Sequence, residues 1–282
     1  MEAVGRRAAS RFLTYLVLIG GAVIFMIPFF WMISVSVKTP TNLAEYPVRF
    51  WPKVPQWDNF LEVWRRADVA RYMLNSAFMS TLYATLVTIT SAFAAYGFAR
   101  CRVRIKDTLF TVVLATMMLP WIVNFIPQFI VFKSLGLYNT YWPWVVWGLS
   151  THGFMIFLLR QFFTTIPIEL EDAATIDGCG RFRTFTSIFL PLSKPALAAA
   201  FIFGFQWIWS DFIPPSIYLQ GKLVPFNVML IRGLNAPFRP DYAPDTPVQM
   251  AGALYYILPL VALYFGAQRY ITQGVVTTGL KG

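Results

Sequence analysis

Six long apolar stretches are the feature that most restricts how this chain can fold. A helix needs about 20 residues to cross the roughly 30 Å hydrocarbon core of a bilayer, because each residue adds about 1.5 Å of rise. Stretches of this kind occupy residues 12–37, 75–99, 108–131, 143–159, 196–219 and 249–268. The sequence therefore predicts an all-α integral membrane protein with six transmembrane helices.

The composition excludes the main alternatives to a membrane protein. Hydrophobic residues make up 57% of the chain and charged residues only 13%, whereas soluble proteins are about one quarter charged. So few charges cannot cover a water-facing surface, which excludes a soluble enzyme, and the apolar content excludes a disordered chain. The net charge of +10 is spread among apolar blocks. It therefore indicates anionic lipid headgroups, and not nucleic acid, as the partner of the basic residues.

Basic residues beside the spans predict their orientation, because cytoplasmic loops retain Lys and Arg. Such residues precede the first span and follow the second: Arg6, Arg7, Arg11, Arg100, Arg102, Arg104 and Lys106. We therefore expect both termini in the cytoplasm. The predicted parts are a cytoplasmic N-terminus (1–11), a membrane domain (12–268), a cytoplasmic tail (269–282), an inner segment (160–195) and outer loops (38–74 and 220–248).

Several residues within the spans carry structural predictions. Small residues at four-residue spacing in span two, including Ser76, Ala84 and Ala92, predict close packing against another helix. Pro120 predicts a bend in span three. Span four is short, and we interpret its His152 as a packing residue bonded to a neighbouring helix, with a proton relay as the alternative.

The sequence contains none of the clusters that catalysis or metal binding would need. It has one His and two Cys, which predicts neither a metal site nor a disulfide framework. The phosphate-binding pattern GxxxxGK[ST] is missing too, since Gly221-Lys222 is followed by Leu223. We therefore expect no enzyme activity and no cofactor bound by this chain.

Segment 160–195 predicts two short helices. Pro167 suits a first helical turn, Glu169 and Glu171 suit the positive helix N-terminus, and Gly178 suits the stop. Apolar positions Ile166, Leu170 and Ala173 or Ala174 are expected on one side of this helix. A second helix is expected from Arg181 to Leu190, ended by Pro191, with Phe182, Phe185 and Phe189 at helical spacing. These apolar sides need a partner, which is either the lipid headgroups or a docking subunit.

A longer pattern runs through the same segment, with Asp172-Ala173-Ala174, then Gly178, then Ile188, Leu190 and Pro191. It matches EAA, three residues, Gly, nine residues, Ile, one residue, Leu-Pro. In this pattern the chain resembles the permease subunits of binding-protein-dependent ABC importers, within them the carbohydrate-uptake, maltose permease-like group. Glu171 and Asp177 match the longer form, while Asp172 replaces the usual Glu. Further matches are Asn75-Ser76, Trp209-Ser210-Asp211-Phe212, Arg269, Gly274, Lys281 and Gly282.

The resemblance implies that residues 169–191 couple this chain to a separate ATPase. The candidate coupling residues are Glu169, Glu171, Asp172, Ala173, Ala174, Asp177, Gly178, Phe182, Ile188, Leu190 and Pro191. The resemblance also implies a prokaryotic cytoplasmic (inner) membrane and four partner chains: a second permease, two ATPase subunits that hold ATP and magnesium, and an extracytoplasmic solute-binding protein. The second permease is either a different chain or another copy.

Span five holds the candidate solute contacts. Asp211 lies within the predicted span, where a carboxylate costs about 2.5–3.5 kcal/mol unless it faces a cavity or a donor. Pro214 and Pro215 predict a broken helix after it, and broken helices commonly line a pathway. Hydroxyl-binding groups and aromatic faces suited to a sugar are Gln206, Trp207, Trp209, Ser210 and Asp211. Packing or capping roles are the alternative for these residues.

We therefore predict a permease that forms half of the path of an ATP-driven importer of a sugar or related polar solute. The alternative is an ion-gradient-driven secondary transporter of a small polar solute. Such a carrier should place several ionisable groups at mid-membrane, where only Asp211 and marginally His152 are expected.

Overall fold

The computed structural model describes residues 2–232 and 246–279, with side chains for 11–232 and 246–268. Every regular element in these residues is helical. The helices are α1 (Glu2–Ser36), α2 (Pro40–Ala44), α3 (Asp58–Arg66), α4 (Val69–Arg100), α5 (Lys106–Thr116), α6 (Trp121–Ser134), α7 (Trp142–Leu149), α8 (Gly153–Thr165), α9 (Glu169–Ile176), α10 (Arg181–Thr184), α11 (Leu190–Leu192), α12 (Lys194–Ser210), α13 (Ile213–Tyr218), α14 (Phe226–Arg232) and α15 (Thr246–Gly279). A π-helix covers Phe185–Phe189 and a 3-10 helix covers Gly221–Leu223.

Two predicted regions extend beyond this description. Residues 233–245 of the outer loop 220–248 lie outside the described residues, as do Lys281 and Gly282 of the tail. The tail positions Arg269 and Gly274 fall on α15, whose side chains are described only to Gln268.

The described residues contain four stretches long and apolar enough to cross a membrane, or up to six if two bent pairs each form one span. The four are Arg11–Ser36, Val69–Arg100, Trp142–Thr165 and Thr246–Gln268. The bent pairs are α5 with α6, at 90°, and Arg181–Leu192 with α12, at 80°. The structure therefore agrees with a multi-pass all-α protein.

Three of the expected spans are interrupted. The bend predicted at Pro120 is present, since α5 ends at Thr116 and α6 begins directly after the proline. The break predicted in span five is also present, because α12 ends at Ser210 and Asp211 is extended, with ψ 128°. The helix resumes at α13, with Pro214 and Pro215 in its first turn, where missing N–H groups cost nothing.

Span four is broken as well. His152 packs against the Trp207 ring of α12, at 4.6 Å, as interpreted, but its hydrogen bond is not to a neighbouring helix. Its Nδ1 accepts a hydrogen bond from Phe154 N at 3.3 Å, so it caps α8 and is bonded to its own helix. Thr151 before it has φ +67°. The cap explains the difference, because an α8 that begins inside the span leaves first-turn N–H groups that need an acceptor.

The second helix of segment 160–195 runs two residues further than predicted. It continues through Pro191 to Leu192 instead of ending at the proline. A π turn at Phe185–Phe189 precedes Pro191. A wider turn of this kind has room for the Pro191 ring, which would otherwise clash with the backbone carbonyl one turn earlier.

One compact unit consists of Met1–Val69 and Met229–Leu258. The apolar stretch of α1 is not buried within the protein, as expected of a helix that faces lipid or a partner chain.

After α1 the chain folds back on itself. Lys38 is 1% exposed, its Nζ donates to Arg49 O at 2.7 Å, and it lies 4.5 Å from the centre of the Trp31 ring. Asn59 Nδ2 donates to the carbonyls of Ser36 and Lys38, at 2.9 Å each. These contacts give the segment that was predicted as the outer loop 38–74 a defined structure.

The other unit consists of Ala70–Val228 and Pro259–Gly282, and its core joins α4, α5, α8, the π-helix and α12. The small residues of α4 pack as predicted. A Cβ built on Gly204 of α12 would lie 3.1 Å from Ala84 Cα, so the two backbones touch. Ser76, Ala84 and Ala92 are all buried.

The first turns of α4 hold the segment that follows α13. Asn75 Nδ2 donates to the carbonyls of Lys222 and Val224, at 2.8 and 2.9 Å. Ser76 Oγ accepts a hydrogen bond from Phe226 N at 2.9 Å. The Asn75-Ser76 pair thus ties the start of one predicted span to the chain that follows the broken span.

Candidate functional site

The helix α9 has the predicted start and stop. Glu169, Glu171 and Asp172 lie in its first turn, where the helix dipole favours negative charge. Gly178 has φ +77°. Cys179 N then donates to Ala174 O at 2.8 Å and Gly178 N to Thr175 O at 3.1 Å, which is a Schellman stop. Only glycine adopts this conformation without strain.

Most of α9 faces outward. Of the apolar side predicted for it, Ile166 and Ala174 pack inward, whereas Leu170 is 41% exposed and Ala173 is exposed. Asp172 is exposed and Glu171 half-buried. Asp177 and Gly178 at its end are exposed too.

Further apolar groups flank the exposed face of α9. Ile168 is 48% exposed, Ile176 85% and Phe182 69%. Isolated exposed apolar residues are common, but these three and Leu170, spread over α9, its N-cap and α10 beside acidic groups, are a surface suited to a partner.

The following helix packs inward. Phe185 and Phe189 are buried, with Tyr96 of α4 at ring-centroid distances of 5.0 and 4.9 Å from them. Ile188 and Leu190 pack against the same core. The two halves of the segment therefore differ, since one is anchored in the core and the other is presented outward.

Arg100 at the end of α4 connects α9 to the core. Its Nη2 donates to Phe163 O at 2.7 Å and also to Ile166 O, and its Nε lies 3.8 Å from Glu171 Oε2. The guanidinium also lies over the Phe189 ring, at 5.0 Å. From the sequence, Arg100 was expected only to add positive charge to a cytoplasmic loop. Its position as the first basic residue after an apolar span could have indicated these contacts.

The candidate solute residues lie at the end of α12. Gln206 and Ser210 are exposed, Asp211 is partly exposed, and Trp207 is 37% exposed. Trp209 is 2% exposed and stacks on Phe205 at 5.3 Å, so in this conformation it packs inside the protein. The backbone oxygen of Asp211 accepts a hydrogen bond from Asn227 Nδ2 at 2.7 Å, which satisfies a carbonyl freed by the break.

The three span interruptions lie near one another. Gly153 packs closely against Met117, since a Cβ built on Gly153 would lie 2.8 Å from Met117 Cγ. The break in span four therefore lies beside the break in span three. The His152 ring lies 4.6 Å from the Trp207 ring, one turn before Asp211. Non-helical backbone at membrane depth is tolerated only inside protein or beside water. The exposed polar groups here, including Ser150, Gln206 and Ser210, fit a water-lined path.

Comparisons with known proteins agree with these features. A family model described as "Binding-protein-dependent transport system inner membrane component" matches residues 88–277. The probable ABC transporter permease protein YurM of Bacillus subtilis is 30% identical over 90% of this chain and 83% of its own length. The lactose transport system permease protein LacG of Rhizobium radiobacter is 28% identical over 96% of this chain and 97% of its own.

A solved structure shares the fold. It is the crystal structure of a bacterial ABC transporter involved in the import of the acidic polysaccharide alginate, with a TM-score of 0.79, 20% identity, and coverage of 93% of this chain and 96% of that one. The match to the family model covers more than half of the sequence. The chain therefore belongs to the inner membrane components of binding-protein-dependent transport systems, the permeases of ABC importers.

Proposed function

We propose that this chain forms half of the translocation path of an ATP-driven importer for a sugar or a related polar solute. The observation that carries the proposal is the outward-facing α9, with its acidic and apolar groups, joined to the membrane helices through Arg100. A separate ATPase would grip residues 169–191 and move them. The chain itself would catalyse nothing and bind no cofactor, since ATP and magnesium would be held by the ATPase.

The anchoring of α9 explains how a motion of the ATPase would reach the spans. A push on α9 passes through the Arg100–Glu171 pair to α4, and through Phe185 and Phe189 to the core around Tyr96. Packed interiors transmit such displacements because they are close to incompressible. Alternating access then exposes the path to each side of the membrane in turn.

The sugar assignment is supported by the relatives and by the residues at the end of α12. LacG is named for lactose transport, and MelC of Bacillus subtilis is named as a melibiose/raffinose/stachyose import permease. Gln206, Ser210 and Asp211 offer hydrogen-bonding groups, and Trp207 offers a partly exposed aromatic face. Sugars are bound by this combination of groups.

The proposal includes a set of partners and an orientation. A second permease, different from this chain, completes the path, two ATPase subunits dock from the cytoplasm, and a solute-binding protein delivers the solute from outside. Both termini then lie in the cytoplasm. Because Cys101 and Cys179 are the two cysteines of the chain, and both are partly exposed, a membrane-impermeant maleimide should label them only after the cell is opened.

A matched pair of glycine variants tests the coupling role. Gly178 has φ +77°, Gly180 has φ −70°, and a Cβ built on either meets no described atom within 4 Å. Gly178→Val therefore strains the backbone by about 1–3 kcal/mol, while Gly180→Val does not. We expect Gly178→Val to leave ATP hydrolysis by the reconstituted complex but to lower solute uptake per ATP, with Gly180→Val near normal. Equal uptake in both variants at equal membrane levels would contradict the coupling role.

Reconstitution also separates the importer from a secondary transporter. The chain alone in liposomes should show no uptake under a proton or sodium gradient, and uptake should appear only with the ATPase, the second permease and ATP. Gradient-driven uptake by the isolated chain would favour the ion-coupled carrier.

A further inference from the structure

A cavity of about 530 Å³ lies between α9, the end of α4 and the loop that leads to α5. Four basic side chains line it, Arg100, Arg102, Lys106 and Arg181, against two acidic ones, Glu171 and Asp172. Two candidate coupling residues, Glu171 and Asp172, line this cavity, but the coupling role does not account for its four basic groups.

The basic groups are not fully neutralised. Glu171 pairs with Arg100 at 3.8 Å. The lining then holds three further positive charges, on Arg102, Lys106 and Arg181, and one negative charge, on Asp172. The Arg100 side chain is 10% exposed, yet its Nε–H is buried and finds no hydrogen-bond partner among the described residues. The remaining positive charge of the lining favours a negatively charged acceptor in the cavity.

The position of the cavity suggests the nature of that acceptor. It lies where α4 ends, and a span ends at the level of the lipid headgroups. Basic pockets between helices at this level bind phosphate headgroups, and Arg is well suited to phosphate because its planar fork can donate two parallel hydrogen bonds.

We propose that this cavity binds a phosphate group, carried either by an anionic lipid headgroup or by free phosphate. Arg102, Lys106 and Arg181 supply the charge that holds it. The site goes beyond the proposed transport function and does not depend on the ATPase.

The two cysteines allow a direct test, since both line the cavity and no other cysteine occurs in the chain. Arg181 Nη1 lies 3.8 Å from Cys101 Sγ, so an anion bound at Arg181 would shield this thiol. The full chain is placed in nanodiscs of phosphatidylcholine, and the rate of N-ethylmaleimide labelling is measured with inorganic phosphate or with chloride at equal ionic strength. A second arm replaces part of the lipid with phosphatidylglycerol.

We expect phosphate, phosphatidylglycerol or both to slow labelling several-fold. Protection by inorganic phosphate identifies a free anion, and protection by phosphatidylglycerol alone identifies a lipid. The double variant R102Q/K106Q should weaken protection at least about tenfold in ligand concentration, as expected when charge-assisted hydrogen bonds are lost. Arg102 is exposed and Lys106 partly exposed, so the fold should tolerate the change.

Arg104→Gln is the matched control, because Arg104 is exposed in the same loop but does not line the cavity. Equal loss of protection in Arg104→Gln would reduce the effect to general surface charge and overturn the proposal. Absence of protection in both lipid arms would also overturn it. If the thiols do not react in the neutral bilayer, equilibrium dialysis against radioactive phosphate and native mass spectrometry of retained lipid provide the same comparison between variants.

Discussion

At one end of α4 a charged side chain, Arg100, reaches carbonyls at the end of α8, while at the other end two neutral side chains hold the segment after α13. The neutral contacts are those of Asn75 with Lys222 and Val224, and of Ser76 with Phe226. Both ends therefore use side chains to bind backbone groups. The charged end also contacts the exposed helix α9, through Glu171.

This difference suggests how the two ends serve an importer. Under the proposed coupling, the Arg100 end would have to remain intact while force passes through it, and a buried charge that binds two carbonyls is costly to separate. The Asn75 end must open if solute enters there, and neutral hydrogen bonds of about 1 kcal/mol each are easily exchanged. The predictions below test this contrast in order of expected effect.

The largest effect is expected at Arg100. Arg100→Gln removes the bonds to Phe163 O and Ile166 O and leaves Glu171 without its ion pair. The free energy of unfolding should fall by roughly 3 kcal/mol, because buried groups lose their hydrogen-bond and ion-pair partner. Thermal unfolding in detergent and the uptake per ATP of the complex measure it. Arg104→Gln, at an exposed position of the same loop, is the control and should change neither value.

A smaller effect is expected at Asn75. Asn75→Asp preserves the shape but replaces an amide that donates to two carbonyls with a carboxylate that cannot. The free energy of unfolding should fall by about 1–2 kcal/mol. If this end opens toward the solute-binding protein, the variant should also raise ATP hydrolysis without that protein, whereas Arg100→Gln should not. A cost equal to that of Arg100→Gln would remove the proposed contrast.

The smallest effect is expected at Ser76, and the next turn of α4 provides its control. Ser76→Ala leaves the Phe226 N–H without its acceptor, at a cost of about 1 kcal/mol. Ser80 is 0% exposed and its Oγ has no hydrogen-bond partner among the described residues. Ser80→Ala should therefore be neutral or slightly stabilising. Unfolding temperatures of the two variants in the same detergent give the comparison, and equal losses would mean that the Ser76 contact adds nothing.

Features set by residues that are close in the chain were predicted correctly, whereas a feature set by tertiary packing was not. The bend at Pro120, the break after Ser210 and the left-handed stop at Gly178 are set by local backbone chemistry, and each was predicted. The end of the second helix of segment 160–195 was placed too early, because a π turn near Pro191 is decided by packing and not by the proline alone.

Side-chain orientation was harder to predict. The apolar side predicted for α9 is divided, with Ile166 and Ala174 buried and Leu170 exposed, and His152 caps its own helix. Helical periodicity indicates which residues share a face, but it does not indicate what covers that face. On a helix of eight residues that begins and ends in turns, a small rotation changes which residues are buried.

The sequence by itself determined the membrane class, the apolar stretches and the family pattern around Asp172 and Gly178, because each depends on residues that are close in the chain. Only the tertiary structure revealed the carbonyl contacts of Arg100, 63 and 66 positions away, and those of Asn75, 147 and 149 positions away. No local pattern specifies partners at such separations. They are selected when the helices pack and the backbone groups left free at helix ends and breaks must find donors.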